Sequence, residues 1–309
     1  MPAPLSLFGR TLFASLAAFV SVCLASCGSS ASKVDEFIPS RIVVIGDSYS
    51  YLGSAGANYL DRITVNDGTI NNWTMQVATN YGLSTAVADG KLIRGVAPVV
   101  GSVELTVAQI VTQISALTDS PKAGDLLMVM GGSVDIFNKA TALGANPTDA
   151  ALTLAKAEMK TQAHALRDYV ISLVNPSGLN HIMLLTVPSL AGSPFSTTNS
   201  LDSTLEALTR EFNDSLKENF GIQKAGEGIR LYDAEVLFKS ATYLNSLGIT
   251  NRTDRFCDGS SANRTVAVAT CTSNASGTYL YATDKYPTPT VHRILGSAVY
   301  GTMRGYSGW

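Results

Sequence analysis

Histidine is scarce in this chain of 309 residues, which contains only His164, His181 and His292. A reaction that needs an imidazole as its base therefore has few candidates. Charged residues make up only 15% of the sequence, and the formal net charge is −2. Lysine and arginine do not cluster into runs, so the composition gives no sign of a nucleic-acid partner or of electrostatic binding to an anionic membrane.

Cofactor motifs are missing as well. The glycines within residues 53–56 do not have the spacing of a dinucleotide-binding fingerprint, and the acidic partner of that motif is absent. The sequence has no Walker loop, so a nucleotide phosphate site of that kind is excluded. We therefore expect neither a cofactor nor a metal ion.

An apolar run at the N-terminus, residues 11–24, follows a single positive charge at Arg10 and is broken only by serines. The run is too short to span a bilayer comfortably, so it predicts a signal peptide over residues 1–26. The next residue completes Leu24-Ala25-Ser26-Cys27, which resembles the bacterial lipobox. That resemblance implies cleavage before Cys27 and diacylation of its thiol, with residues 27–39 as a lipidated tether. An ordinary cleavage site with a chance cysteine is the alternative.

Lipid attachment would fix the protein in the bacterial envelope, because two or more acyl chains anchor a protein stably. Gly28 is not the Asp that favours inner-membrane retention, so in a Gram-negative organism we expect the outer membrane.

Cysteine is sparse, and two of the four cysteines, Cys257 and Cys271, lie beyond the predicted leader and lipid site. An even pair in an exported chain favours a disulfide. It would close a loop of about 15 residues and stabilise the fold by roughly 3 kcal/mol. A metal site is the alternative, but no histidine lies near either cysteine.

Residues 40–309 are predicted to form one domain of the α/β class, a three-layer α/β/α sandwich with a mainly parallel central sheet. Short β-branched runs alternate with segments of helical period, which is typical of that architecture. The predicted strands are 41–45, 126–130, 182–187 and 229–232. The predicted helices are 73–81, 103–118, 150–174, 203–219 and a last one that begins at Thr288-Pro289. The polar segment 250–277 is expected to lie at the surface.

A serine, Ser48, follows the first predicted strand directly, within Gly46-Asp47-Ser48-Tyr49-Ser50. Ligands bind beyond the carboxyl ends of the strands in an open parallel sheet. A serine at that place can present its hydroxyl beside free backbone N–H groups that bind an oxyanion. A turn that only caps the next helix is the alternative.

Several segments resemble, in the same order, the sequence blocks of the GDSL (SGNH) ester hydrolases. They are 46–53, 72–83, 94–97, 132–135, 187–194 and 279–292. The resemblance covers roughly residues 40–305 and implies the flavodoxin-like sandwich of that family and ester hydrolysis by a serine. It assigns Ser48 as the nucleophile and Gly95 as a second oxyanion donor.

Two further assignments depart from the family pattern. The third oxyanion donor, an asparagine side chain, falls at Val134, which has no hydrogen to donate, and the adjacent Ser133 is a substitute. The C-terminal block, which in the family reads Asp-x-x-His-Pro-Thr, places Tyr286 at the base and Thr283 at its orienting carboxylate. Tyrosine, with a reference pKa of about 10, is a hydrogen-bond donor at neutral pH and not a base.

Two candidates for the base remain, His292 near the start of the last helix and Asp284, while Tyr286 is expected to contact substrate. His164 in a helix and His181 at the start of a strand are predicted to be structural. The resemblance thus implies a hydrolase of carboxylic esters in the cell envelope, with a small-molecule or lipid ester as its substrate. The alternative is a catalytically degenerate module of the same fold that binds acylated lipids or glycans.

Overall fold

The computed structural model describes residues 37–50, 72–94, 104–174, 178–218, 220, 228–256 and 277–305. The architecture below is that of the unit from Ile38 to Ser307. Four predicted site residues lie outside the described residues: Cys27, Gly95, Cys257 and Cys271. The lipid anchor, the disulfide and the second oxyanion donor therefore stay predictions.

The central sheet has five parallel strands, in the spatial order β2-β1-β3-β4-β5. The strands are β1 Arg41–Gly46, β2 Leu92–Arg94, β3 Asp125–Met130, β4 Ile182–Leu185 and β5 Ile229–Tyr232. A separate parallel pair consists of β6 Asn251–Arg255 and β7 Tyr279–Tyr281. In the register of the sheet Gly46 lies opposite Met130, and Met130 opposite Leu185, so β1, β3 and β4 end at one level.

Helices flank the sheet, and the predicted α/β sandwich with a mainly parallel sheet is confirmed. They are α1 Trp73–Asn80, α2 Val107–Ile110, α3 Ser133–Leu143, α4 Asp149–Ser172, α5 Pro194–Thr198, α6 Asp202–Lys217, α7 Ala234–Lys239, α8 Ala241–Ser246 and α9 Pro289–Arg304. Helix α1 packs against α9, and helices α3 and α4 pack against α6. In the described part of the chain, no helix combines the length and the apolar character needed to cross a membrane.

The strands next to the site are buried on both faces. Every residue of β1, β3 and β4 is buried, as expected of a parallel sheet covered by helices. Their continuous apolar sequences therefore predict them well. The last helix, α9, also begins as predicted: the Thr288 hydroxyl accepts a hydrogen bond from the Val291 N–H, and Pro289 occupies the first turn.

The predicted helix over 103–118 is shorter in the structure, where α2 ends at Ile110 and turns follow. Its apolar residues are β-branched and lose rotamer freedom in a helix. The Thr112 hydroxyl donates to the Gln109 carbonyl (2.7 Å) and the Ser115 hydroxyl to the Thr112 carbonyl (2.8 Å), and such side-chain bonds compete with helical ones. Residues 104–106 precede the helix, and Glu104 among them hydrogen-bonds to Tyr286.

Helix α3 was not predicted, because its glycine-containing start resembles the end of a strand. Gly132 has φ = 111°, a left-handed conformation that favours glycine, and it turns the chain from β3 directly into α3. A Cβ atom there would lie 2.2 Å from Cζ of Phe212. The tight turn brings Ser133 and Asp135 to the carboxyl end of the sheet.

Candidate active site

The turn that carries Ser48 is tied closely to the neighbouring strand β3. The Asp47 N–H donates to the Met130 carbonyl (3.1 Å), and the Gly46 N–H donates to Oε1 of Gln113 (2.7 Å). A Cβ on Gly46 would lie 2.2 Å from the Met130 oxygen, so only glycine permits this approach. The chain therefore leaves β1 in one fixed direction.

The Asp47 carboxylate fixes the same turn from within. Its Oδ1 accepts from the Tyr49 N–H (3.0 Å), while Oδ2 accepts from the N–H (3.0 Å) and the hydroxyl (2.5 Å) of Ser133. Hydrogen bonds to an ionised acceptor are short and strong, so this carboxylate connects the ends of β1 and β3. Both donors of Ser133 are thereby engaged, and neither is directed to an oxyanion in this arrangement.

Helix α1 holds the turn from the other side. The Asn72 side chain caps α1 by accepting from the Thr74 N–H (2.9 Å) and donates to the Tyr49 carbonyl (3.0 Å). Nε1 of Trp73 donates to the hydroxyl of Ser50 (3.3 Å). These buried contacts explain why the first segment of the family resemblance and the helix after it occur together.

Ser48 lies at the start of a chain of hydrogen bonds that ends on a carboxylate. Its hydroxyl donates to Oη of Tyr286 (3.0 Å), and Oη of Tyr286 donates to Oε1 of Glu104 (2.9 Å). Ser48 is 4% exposed and Tyr286 is 1% exposed, whereas 38% of the Glu104 side chain is exposed. The Ser48 N–H makes no hydrogen bond with the described residues and is available to an oxygen anion.

Aromatic and basic side chains hold Tyr286 and Glu104 in place. The rings of Tyr49 and Tyr286 pack with centroids 5.3 Å apart, and the Tyr49 hydroxyl donates to the Lys285 carbonyl (2.6 Å). Nζ of Lys285 lies 3.9 Å from Oε1 of Glu104 and 4.7 Å from the centroid of the Phe195 ring. Glu104 thus lies between a phenol donor and an ammonium group.

Asp284 and His292 were the two predicted candidates for the base. Oδ1 of Asp284 forms an ion pair with Arg255 (2.6 Å), and His292 is buried in the first turns of α9. Among the described residues, the Ser48 hydroxyl is hydrogen-bonded to Tyr286 and to neither of these two. Thr283 is close to the site, since its hydroxyl accepts from the Tyr286 N–H (3.3 Å).

Sequence reasoning missed Glu104, which ends the hydrogen-bond chain. It belongs to no block of the resemblance and precedes the capping box of Thr106 and Gln109 at α2. A usable signal was nevertheless present, because Glu104 is the one acidic residue between Asp89 and Asp119 in an otherwise apolar stretch. An isolated carboxylate in such a stretch is worth testing as a site residue.

A second carboxylate, Asp135, supports the segment that holds Glu104. Its Oδ2 accepts from the Val107 N–H at the start of α2 (2.9 Å). Burial raises the pKa of Asp135 to about 6, with a smaller contribution from the negative charge of Asp47, while the Val107 bond opposes the rise. The ionised carboxylate therefore destabilises the fold near neutral pH.

Replacing Asp135 with asparagine is expected to raise the free energy of unfolding at pH 7.5 by about 1–2 kcal/mol. The asparagine oxygen can still accept from Val107, but the buried charge is gone. Because the pKa of Asp135 is higher in the folded chain, the wild type loses stability as pH rises from about 4 to about 6. Urea unfolding across that range should show a flatter profile for Asp135→Asn, while the exposed control Asp168→Asn keeps the wild-type slope. An unchanged profile in Asp135→Asn would contradict the assignment.

Comparison with known proteins gives likeness at the level of structure alone. No family model and no curated protein matches the sequence. Phospholipase A1 from Streptomyces albidoflavus NA297 matches with a TM-score of 0.49 and 13% identity, covering 86% of this chain and 99% of that one. An acetyl xylan esterase matches with a TM-score of 0.46 and 12% identity, covering 85% of this chain and 98% of that one. The M. smegmatis aryl esterase matches with a TM-score of 0.43 and 14% identity, covering 86% of this chain and 98% of that one.

Proposed function

We propose that this protein hydrolyses carboxylic esters slowly, with Ser48 as the nucleophile and Tyr286 and Glu104 as the path for its proton. One observation carries the proposal: the Ser48 hydroxyl, at the end of β1, is the first donor of a hydrogen-bond chain that ends on a carboxylate. A serine becomes nucleophilic only when its proton has an acceptor, and here that acceptor is reached through one phenol.

The proposed reaction is acyl transfer in two steps. Oγ of Ser48 bonds to the acyl carbon while its proton passes to Oη of Tyr286 and the Tyr286 proton passes to Glu104. The tetrahedral oxyanion is stabilised by the Ser48 N–H. As it collapses, the bond to the leaving alkoxide breaks and the proton returns along the same path to that oxygen. Water then attacks the acyl-Ser48 ester and loses a proton by the same path. The bond between the acyl carbon and Oγ of Ser48 breaks, the proton returns to Oγ, and the acid is released.

The rate should be modest for two reasons. A carboxylate acting through a phenol is a weaker base toward serine than the imidazole of a Ser-His pair. The asparagine expected in the third block is replaced by Val134, and losing one oxyanion donor typically lowers the rate by about 10²–10³-fold. Esters with good leaving groups are therefore the substrates of choice for detection.

The test is the release of p-nitrophenol from p-nitrophenyl acetate by the purified protein. We expect turnover above the buffer rate and an acetyl group on Ser48 in rapidly quenched samples, found by peptide mass spectrometry. Turnover without that adduct, or an adduct on a different residue, contradicts the assignment of Ser48.

A second candidate function is a binding module that has lost the reaction. The observation that favours it is the set of replacements at positions where the resemblance expects catalytic groups: Val134, Thr283 and Tyr286. The buried position of Ser48 agrees with it as well. Acylated lipids or glycans would be bound intact in this case, and no acetyl adduct would form.

We further propose that the mature protein begins at Cys27 and is held in the envelope by its lipid. The support is the apolar run 11–24 followed by Leu24-Ala25-Ser26-Cys27. Intact-mass spectrometry of protein from membranes should find a diacylated N-terminal cysteine, and a mature N-terminus at a different residue would refute this.

A further inference from the structure

A cleft lined by apolar and charged side chains opens beside the β6–β7 pair. Its volume is about 580 Å³, within the range of small-molecule sites. The loop after β4, the start of α6, the end of α7 and both strands of the pair line it. Ser48, Tyr286 and Glu104 are not among its lining residues, so the cleft is separate from the hydrogen-bond chain described above.

Tyr281 is a buried residue that lines this cleft, and its hydroxyl makes no hydrogen bond with the described residues. Only 2% of Tyr281 is exposed. Burial, with a smaller contribution from the negative charge of Asp202, raises the pKa of Tyr281, so its hydroxyl stays neutral. A neutral phenol both donates and accepts hydrogen bonds, so it can bond to a hydroxyl group of a ligand in the cleft.

The charged residues of the cleft supply donors and acceptors with no excess of either sign. Nζ of Lys239 forms an ion pair with Oε1 of Glu206 (2.8 Å). Arg252 lines the cleft and forms no ion pair or hydrogen bond with the described part of the chain, so its guanidinium can offer several N–H donors to a ligand. Oδ1 of Asp202 accepts from the Gly192 N–H (2.7 Å) and the Ser196 hydroxyl (2.6 Å), which orients the carboxylate and leaves Oδ2 as a free acceptor.

The geometry points to a neutral carbohydrate as the ligand of this cleft. Each sugar hydroxyl donates and accepts, so it requires the mixture that Arg252, Asp202 and Tyr281 provide, and the C–H face of a sugar can pack on Phe238 and Leu280. The two acidic and two basic residues of the lining balance in charge, so the cleft attracts neither an anion nor a cation strongly. This inference concerns binding alone and does not depend on hydrolysis at Ser48.

The cleft and the candidate active site share one turn of the polypeptide chain. Tyr281 and Tyr286 belong to one tight turn, in which the Ala282 N–H donates to the Tyr286 carbonyl (2.8 Å). A ligand that orders Tyr281 therefore acts on the same turn that presents Tyr286 to Ser48.

Isothermal titration calorimetry with unesterified oligosaccharides tests the inference without any reaction. Full-length protein in a detergent that has no sugar headgroup is titrated with xylohexaose, chitohexaose and, as an acidic probe, hexagalacturonate. We expect at least one neutral oligosaccharide to bind more tightly than the acidic one. Tyr281→Phe and Arg252→Gln should each weaken that binding about tenfold or more, because each removes hydrogen bonds to a buried ligand group.

The matched control is Tyr300→Phe, which removes a phenol hydroxyl on α9 that contacts Arg304 outside the cleft. Its affinity should equal that of the wild type, and thermal unfolding should confirm that all variants are folded. No binding of either neutral probe, or equal affinity in Tyr281→Phe, overturns the inference. Tighter binding of hexagalacturonate that is lost in Arg252→Gln overturns it as well, in favour of an acidic glycan. Since the probes carry no ester, these results are independent of whether Ser48 is active.

Discussion

Ser48→Ala is expected to lower kcat/KM for p-nitrophenyl acetate by about 10³-fold or more, to a rate close to that of buffer. The substitution removes the oxygen that forms the acyl bond in the proposed reaction, while the Ser48 N–H and the Asp47 contacts are kept. Residual catalysis would come from oxyanion binding alone. Initial rates at several substrate concentrations, with protein concentration set by absorbance, measure the effect.

The matched control is Ser215→Ala, because Ser215 is also a buried serine but lies on α6. It should retain the wild-type rate and thereby show that losing a buried hydroxyl is not in itself the cause. If Ser48→Ala keeps wild-type activity, hydrolysis occurs at a different residue and the proposed nucleophile is wrong.

Tyr286→Phe is expected to reduce kcat by about 10²-fold with little change in KM, since general-base assistance typically contributes 10²–10⁴-fold. The ring and its packing against Tyr49 remain, so the variant removes only the oxygen between Ser48 and Glu104. Glu104→Gln should cause a similar loss, because an amide does not take up the proton.

A double-mutant cycle separates a relay from two independent effects. If Tyr286 and Glu104 act as one path, the double variant is no slower than either single variant. The exposed Tyr243→Phe serves as a control and should behave as the wild type. A binding module behaves differently: Tyr286→Phe changes nothing, and the pair Tyr286→His and Thr283→Asp raises activity by orders of magnitude. That outcome would replace the proposed relay with the degenerate interpretation.

The sheet was predictable because its strands are buried on both faces. A strand of that kind has a mostly β-branched or aliphatic sequence, as in β1, β3 and β4. A glycine marks the end of β1 and of β3, and Pro188 follows β4. Helix α4 was equally clear, with Thr148 as its cap. Helix α2 is shorter than predicted, because side-chain bonds such as that of Thr112 compete with helical ones. Helix α3 was not predicted, because it begins directly after the left-handed Gly132 at the end of a strand.

Sequence patterns could indicate only those parts of the candidate site whose residues are adjacent in one turn. Gly46, Asp47 and Ser48 are adjacent in sequence, so their arrangement follows from the end of a strand. Glu104 reaches Tyr286 across 182 positions, and no local pattern encodes such a contact. The expectation for His292 and Asp284 came from proximity in sequence to Tyr286, and in the described residues the Ser48 hydroxyl bonds to Tyr286.

The hydrogen bond between Ser48 and Tyr286 joins residues 238 positions apart. All five strands of the central sheet precede residue 233, so they are synthesised before the tyrosine that hydrogen-bonds to Ser48. A premature stop codon after β5 would thus yield a product with the full set of sheet strands and no means of activating Ser48. In the proposed mechanism the protein becomes active only after Tyr286 has been synthesised. A chain that is truncated before that residue is therefore inactive.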